Sequence, residues 1–484
     1  MTVLSNVSSI ISLMFLLSFV LLFSCASHET EKPLIHVGLG EKVITPVEKV
    51  RMRGFARSQI STGVHDELYA RSLLVEGTDG TTIVLMTVAL CGMTEDYAER
   101  IRTIISEKTA IPGENVIISC THTHAGPNVG SSHDTFNKED VDKTMASPEY
   151  RQFLVEQCAA SAVEAWENRQ PGKIGVESTT VFNLGLNRRR LLYGGLHPDP
   201  EVGLIKIEDA SGKLLGVAFN YGCHPSGLDW QNTLLSEDWP YYSIKGIKES
   251  LGADIWVAYY QAAEGDINLG YNSELSAIGA DMPIRNYEYI EKKARLMTDA
   301  VLDFLPSVVT SGDPGVESTA DRFDYPLRNS YPVSLEQAEH EADAAKMQLK
   351  EAEGNPALTG TRILDSAIVE DFQAAQRYRN AQKFYQTENR PQTRSLEQQA
   401  VRIGDAVFVT FPGELFSEIG LAVKNGSPYE KTYMIGVTCG PGGYMPASSE
   451  FIEGDYEINA SAYSPETEPY CVRSSLELIS KITD

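Results

Sequence analysis

Positive charge is scarce in this chain. Its 484 residues carry 41 Lys and Arg against 66 Asp and Glu, for a formal net charge of −25. That balance argues against a nucleic-acid partner, because gripping phosphates needs a basic patch. No block of five like charges occurs, so the acidity is spread over the surface. Cysteine is also sparse, and none of the seven forms a CxxC pair. Beyond Cys25, Cys91, Cys120, Cys223 and Cys439 sit in apolar or glycine-rich stretches and read as buried free thiols. A chain of this size does not need disulfides as its framework. There is no internal repeat.

Charge of either sign is missing from the first 24 residues. Within them, Ile10–Phe23 is an apolar run of 14 residues. It is shorter than the roughly 20 residues that span a bilayer and suits the core of a signal peptide. Leu22-Phe23-Ser24-Cys25 has the pattern of a bacterial lipobox. The expectation is therefore a signal peptide over 1–24, lipid attached at Cys25, and a cell-envelope protein tethered to a membrane through that lipid. Plain secretion and an uncleaved anchor are the other readings of the same stretch.

The remaining residues, about 460, suffice for one large domain or two ordinary ones. At 42% hydrophobic they can bury a substantial core. "LLVEGTDGTTIVLMTVAL" has two apolar runs around a "TDGT" turn and predicts a hairpin. "PEVGLIKIEDASGKLLGVAFNYGCHP" predicts another, turning at "DASG", and "EQQAVRIGDAVFVTFPGELF" a third, turning at "GD". "NVIISC" and "ADIWVAYYQAAEGDINLG" read as further strands. Helical spacing marks "DYAERIRTIISEKTA", residues 148–168, a segment opening near Asp238, and a C-terminal "SSLELISKI". Residues 334–390 are rich in Ala, Glu, Gln and Lys and read as two helices joined through "GNPALTG". The fold class expected is α/β, with mixed β-sheets covered by helices and a helical-hairpin insertion.

Only nine histidines occur. His122 and His124 stand two apart in "CTHTHAGPN", just after the "NVIISC" strand, where side chains at i and i+2 share a face. His224 ends a second predicted strand before a Pro-containing turn. Sites of α/β proteins commonly lie at such strand ends. Neutral imidazoles suit zinc, and a catalytic zinc wants about three protein ligands and an open place for water. Spacing alone cannot choose the remaining ligands among 66 acidic residues.

Five stretches in order, "THTHAGP" (121–127), "CHPSG" (223–227), "GDIN" (265–268), "FPGELFSEIG" (411–420) and "GPGGYMPASSEF" with "DYE" (440–457), resemble the catalytic domain of the neutral/alkaline, non-lysosomal ceramidases. "GVHDELYARSLLVEG" (63–77) resembles the segment after that family's N-terminus. The likeness runs from about residue 34 to the C-terminus and is diffuse between motifs. It implies one Zn2+ held by His122, His224, Glu414 and Tyr444, the last on a flexible glycine-rich loop. It gives His124 a second role, polarising the substrate carbonyl or shuttling a proton, although bracing the turn is an equally local reading. It offers Asn187 and Arg188 of "LNRRR" as substrate contacts and Asp238 as an acidic turn residue whose simplest use is to cap the next helix.

Departures from the family pattern are specific. The family's glycine-aspartate turn carries a serine where Asn268 stands here; asparagine cannot be a hydroxyl nucleophile but can donate a hydrogen bond to an oxyanion. Ala89 stands where a strand usually ends in aspartate, which removes a polar contact or a place for a second cation. About 40 residues follow Tyr444, so no C-terminal immunoglobulin-like domain is expected. The resemblance implies a divergent zinc-dependent hydrolase of an amide, with ceramide or a related N-acyl lipid as substrate. The competing readings are a zinc amidase or esterase for a non-lipid small molecule, and a non-catalytic envelope binding protein.

Overall fold

The structure, a computed structural model, describes residues 33–55, 60–130, 145–272 and 285–482. The expected signal peptide and Cys25 lie outside the described residues. Among the described residues no helix is long and apolar enough to cross a membrane.

Apolar-rich runs fold the first half into strands β1 (His36–Val43), β2 (Tyr69–Glu76), β3 (Thr82–Val88), β4 (Val116–Cys120), β5 (Gln170–Thr180), β6 (Glu201–Asp209), β7 (Leu214–Tyr221) and β8 (Trp256–Gln261). They form one sheet in the order β8-β7-β6-β5-β1-β2-β3-β4. β2 with β3 and β6 with β7 are the hairpins expected from their turn sequences. β3 with β4 and β7 with β8 run parallel. A second sheet contains β9 (Val316–Pro326), β10 (Thr393–Ile403), β11 (Ala406–Thr410) and β12 (Lys431–Ile435), in that order, with β11 and β12 parallel.

Period two along each strand decides what packs where. Leu73, Val75, Ile83, Leu85 and Ile117 share one buried cluster with Val401, Ile403, Phe408 and Ile435, so the two sheets pack face to face. On the other face of the large sheet, Leu74, Val84, Met86 and Phe219 meet α1 (Glu95–Thr109), α2 (Pro148–Glu167), α3 (Trp239–Leu251) and α4 (Tyr287–Phe304) through residues such as Ile101, Leu154, Ile247 and Met297. Each such side chain, when fully buried, stabilises by about 1.5–3 kcal/mol. Helices α5 (Leu335–Glu353) and α6 (Arg362–Gln386) make the expected hairpin, with Tyr378 donating to Glu339 at 2.8 Å. The outer face of the small sheet, including Leu396 and Val409, packs on α7 (Ser417–Gly426) and on the C-terminal helix α9 (Thr467–Ser480), with α8 (Asp455–Ala460) between them in sequence. The layers therefore run helix, sheet, sheet, helix. The six described cysteines are all buried and free.

Candidate metal centre

Parallel strands converge their C-terminal ends, and four of these ends deliver polar side chains to one place. His122 follows β4, His224 follows β7, Glu264 follows β8 and Glu414 follows β11, each within four residues of the strand's last position. These four side chains are buried and place ligand-type atoms within 4.8 Å of one another. This is where ligands gather in α/β sheets.

Backbone carbonyls set both imidazoles. His122 Nδ1 lies 2.6 Å from the Cys91 carbonyl oxygen. His224 Nδ1 lies 2.9 Å from that of Glu264 and 3.0 Å from that of Ile267. A carbonyl only accepts, so both Nδ1 atoms carry a proton and both Nε2 atoms turn toward the cluster. Glu414 Oε2 sits 3.5 Å from His122 Nε2 and 3.2 Å from His224 Nε2. His122 itself has φ of +70°. A non-glycine residue holds that conformation only when its surroundings impose it.

Glu264 is the residue that the motif reading passed over. It is fully buried, and neither carboxylate oxygen has a hydrogen-bond partner. Burial, with the Glu414 charge beside it, pushes its pKa well above the usual range. Arg188, a cation whose field reaches it, is itself bound to Glu457. Glu414 is held well below the usual range: burial opposes its charge, but His122 and His224 outweigh that. His224 is pushed down to about 4 by burial and by Arg188, so it is neutral near pH 7. Two buried carboxylates beside two imidazole Nε2 atoms form a donor set in which Glu264 has no hydrogen-bond partner. Such a set fits a divalent cation, which would relieve the otherwise costly burial of Glu264.

Glu414 and Tyr444 are register partners in a two-residue parallel bridge, Glu414–Leu415 with Tyr444–Met445. Here the structure corrects the expectation of a flexible loop. Gly442 N donates to the Pro412 carbonyl at 2.7 Å and Glu414 N to that of Gly443 at 2.9 Å. A Cβ on Gly442 would lie 2.0 Å from the Pro412 oxygen, so the glycines permit the close pairing that holds Tyr444 beside Glu414. Arg188 Nη2 donates to the Tyr444 hydroxyl at 3.2 Å.

His124 occupies a different environment from His122. Its ring centroid lies 5.0 Å from that of His122 and 5.7 Å from that of His224. Both of its ring nitrogens are buried without a hydrogen-bond partner. Burial and the two neighbouring histidines drive its pKa well below normal, so the ring is neutral. The Phe55 ring stands edge-on at 4.8 Å, and Gly54, with φ of +130°, leaves room where a Cβ would lie 2.3 Å from the ring.

A cavity of about 690 Å³ opens over the cluster, lined at this end by His122, His124, Glu414 and Tyr444. Asn187, Arg188 and Asn268 are not among its lining residues. Asn187 donates to Asp266 at 2.8 Å, and Asp266 accepts from Ser417 N at the start of α7. Arg188 binds Glu457 at 2.7 Å and the Gly265 carbonyl at 2.8 Å. Asn268 accepts from Gly270 N and Tyr271 N and donates to the Tyr271 carbonyl, bracing its own turn. All three side chains, expected at the substrate, are engaged with the 265–271 segment that follows Glu264. Asp238 caps α3 as expected and also accepts from Gly227 and Leu228 N beyond His224. Ala89 is fully buried in the core and offers no donor.

A mixed α/β fold with an imidazole–carboxylate cluster at parallel strand ends, under a deep cavity, defines a candidate metal-dependent enzyme centre. Comparison with known proteins narrows the class. Residues 35–266 match the family model for neutral/alkaline non-lysosomal ceramidase, N-terminal, the family that the motifs resemble. A neutral ceramidase from Oryza sativa subsp. japonica is 30% identical over 251 residues, 48% of this chain and 31% of that protein. One from Pseudomonas aeruginosa is 27% identical over 243 residues, 46% of this chain and 35% of that protein. These alignments span about a third of the curated relatives' length. The crystal structure of neutral ceramidase from Pseudomonas aeruginosa superposes with a TM-score of 0.70 at 18% identity, covering 93% of this chain and 74% of that one. It shares the fold.

Proposed function

We propose that this chain is a zinc-dependent hydrolase of acyl amides, with ceramide or a related N-acyl lipid as its substrate class. The observation that carries the metal reading is Glu264: a fully buried carboxylate with no partner, clustered with Glu414 and with two imidazoles whose Nε2 atoms approach Glu414. The relatives' names carry the choice of an acyl amide.

His122, His224 and Glu414 would hold the ion, with Tyr444 completing the set and Glu264 balancing its charge. Zinc supplies a Lewis acid and a means of ionising water near neutral pH. His124 acts on the substrate side. Its neutral ring can donate at one nitrogen and accept at the other, so it can orient the carbonyl and carry a proton to the leaving amine. Water adds to the carbonyl carbon, the C–N bond breaks, and the amine departs with that proton. Arg188 is a positioning residue: it holds the Tyr444 hydroxyl and the 264–268 turn in register. An N-terminal lipid on Cys25 would bring this site to a membrane in the cell envelope, close to a lipid substrate.

The test is release of fatty acid from a short-chain fluorescent ceramide by zinc-loaded protein. Turnover is expected in the natural protein and not in His122→Ala. Failure of the zinc-loaded protein to cleave either ceramide or a panel of acyl amides would overturn the reading.

A further inference from the structure

The cavity wall is charged against the trend of the chain. Among its described lining residues seven are Arg or Lys and one, Glu414, is acidic. The whole chain has 41 basic and 66 acidic residues. The single acid sits at the inner end with the metal centre. Four of the cations, Arg379, Lys383, Arg390 and Arg394, come from α6, the segment leading on to β10 and the start of β10.

Helix geometry explains how α6 builds this wall. Its lining residues Phe372, Gln376, Arg379 and Lys383 recur every three or four positions, which places them on one face. Several cations in the wall are satisfied by neutral groups. Arg394 Nη1 donates to the Pro441 carbonyl at 2.7 Å. Arg328 Nη2 donates to that of Ile458 at 3.0 Å. The Arg390 guanidinium lies 3.4 Å from the Phe384 ring centroid. Carbonyls and rings orient a cation without cancelling its charge. Burial, and then the Arg394 charge, hold Lys383 below its ordinary pKa. Gathering like charges costs stability, and an anionic ligand would recover it.

We propose that this cavity selects acyl amides bearing an anionic group, a carboxylate, sulfonate or phosphate, on the amine half of the molecule, and that α6 with the segment after it is the selecting element. The assignment to the amine half follows from chemistry: an alkyl acyl chain carries no charge. The interleaved Phe372, Phe384 and Tyr331 suit the apolar part of such an amphiphile. The inference deepens, and rests on, the reading of this cavity as the acyl-amide site.

Matched ethers that lack a scissile amide separate recognition from turnover. Calorimetry on the metal-loaded protein would compare 2-(octyloxy)ethanol with 2-(octyloxy)ethanesulfonate, octyloxyacetate and 2-(octyloxy)ethyl phosphate. At low salt at least one anion is expected to bind about tenfold more tightly than the alcohol, which is the scale of two or three half-exposed charge pairs. The gap should narrow in about 0.5 M salt, where the Debye length falls below 8 Å. It should also narrow in Arg379→Gln/Lys383→Gln and persist in Lys383→Arg. Equal binding of all four, no binding of any, or an anion preference untouched in the double variant would each overturn the proposal. Turnover of N-octanoyltaurine and N-octanoylethanolamine keeps the two claims apart. Cleavage without any anion preference in binding removes this inference alone. Anion preference without cleavage of any amide removes the proposed activity and supports the selectivity of the wall.

Discussion

Two buried clusters of charged side chains lie side by side in this protein, and they are built on opposite plans. In the arginine cluster, Arg188 binds Glu457 at 2.7 Å, Arg189 binds Glu450 at 2.7 Å and Glu457 at 2.9 Å, and Arg190 reaches Glu453 at 2.6 Å. Its carboxylates each have a guanidinium, and its core members are almost fully buried. In the histidine cluster, Glu264 has no partner and both His122 and His224 leave a ring nitrogen facing Glu414. Equal burial with unequal satisfaction separates structure from site. A saturated cluster holds loops together; an unsaturated one is waiting for a ligand.

The largest effect that would sharpen this contrast comes from the saturated side. Arg188→Met leaves Glu457 with less of its positive partner and frees both the Tyr444 hydroxyl and the Gly265 carbonyl. A loss of about 3–5 kcal/mol is expected, read by urea unfolding. A loss under about 1 kcal/mol would mean that the cluster is not structural.

A middle-sized effect comes from a histidine outside both clusters. His197 Nε2 lies 2.8 Å from the Gly222 carbonyl and its Nδ1 accepts from Asp199 N at 3.1 Å, so its ring is satisfied as a neutral group. Burial pushes its pKa down to about 4, against about 6.5 in an unfolded chain. The folded state thus resists protonation. This contribution is fully present above pH 6.5 and is lost as pH falls from there through 4, reaching about 3 kcal/mol. Unfolding free energy measured across that window should show a one-proton slope that is flattened in His197→Gln. An unchanged slope would contradict the assignment.

The smallest effect separates the clusters most sharply by sign. Glu264→Gln should stabilise the chelated protein by about 1 kcal/mol near neutral pH, because it removes a buried group whose charged form has no partner. With its folded pKa raised, Glu264 is a growing liability as pH rises above its unfolded value near 4.3, so the gain should increase with pH. The same change should weaken metal binding about 10–100-fold, as loss of a supporting partner commonly does. Destabilisation of the chelated form would mean that Glu264 has structural work of its own.

The sequence revealed much of this architecture where local rules carry the information. Turns such as "TDGT" and "DASG" between alternating apolar runs marked the hairpins, and helical spacing marked α1, α2 and the α5–α6 pair. His122, His224 and Glu414 were legible because ordered motifs singled them out. Glu264 was hidden because a lone acidic residue carries no signal among 66. The available clue was its position, a carboxylate three residues beyond the wholly buried strand Trp256–Gln261. Asn187, Arg188 and Asn268 lie next to the site in sequence motifs, yet they bond to the 265–271 segment that follows Glu264. A polar residue that touches a ligand and one that holds the toucher look alike in a sequence. Tyr444 read as mobile from its glycines, but those glycines permit the tight bridge to Glu414.

The most direct test is an anomalous-scattering map of crystals of the protein at the zinc edge. One peak is expected about 2.0–2.2 Å from His122 Nε2, His224 Nε2 and a Glu414 oxygen. No peak in zinc-soaked crystals, or a peak ligated elsewhere with the cluster unchanged, would contradict the account.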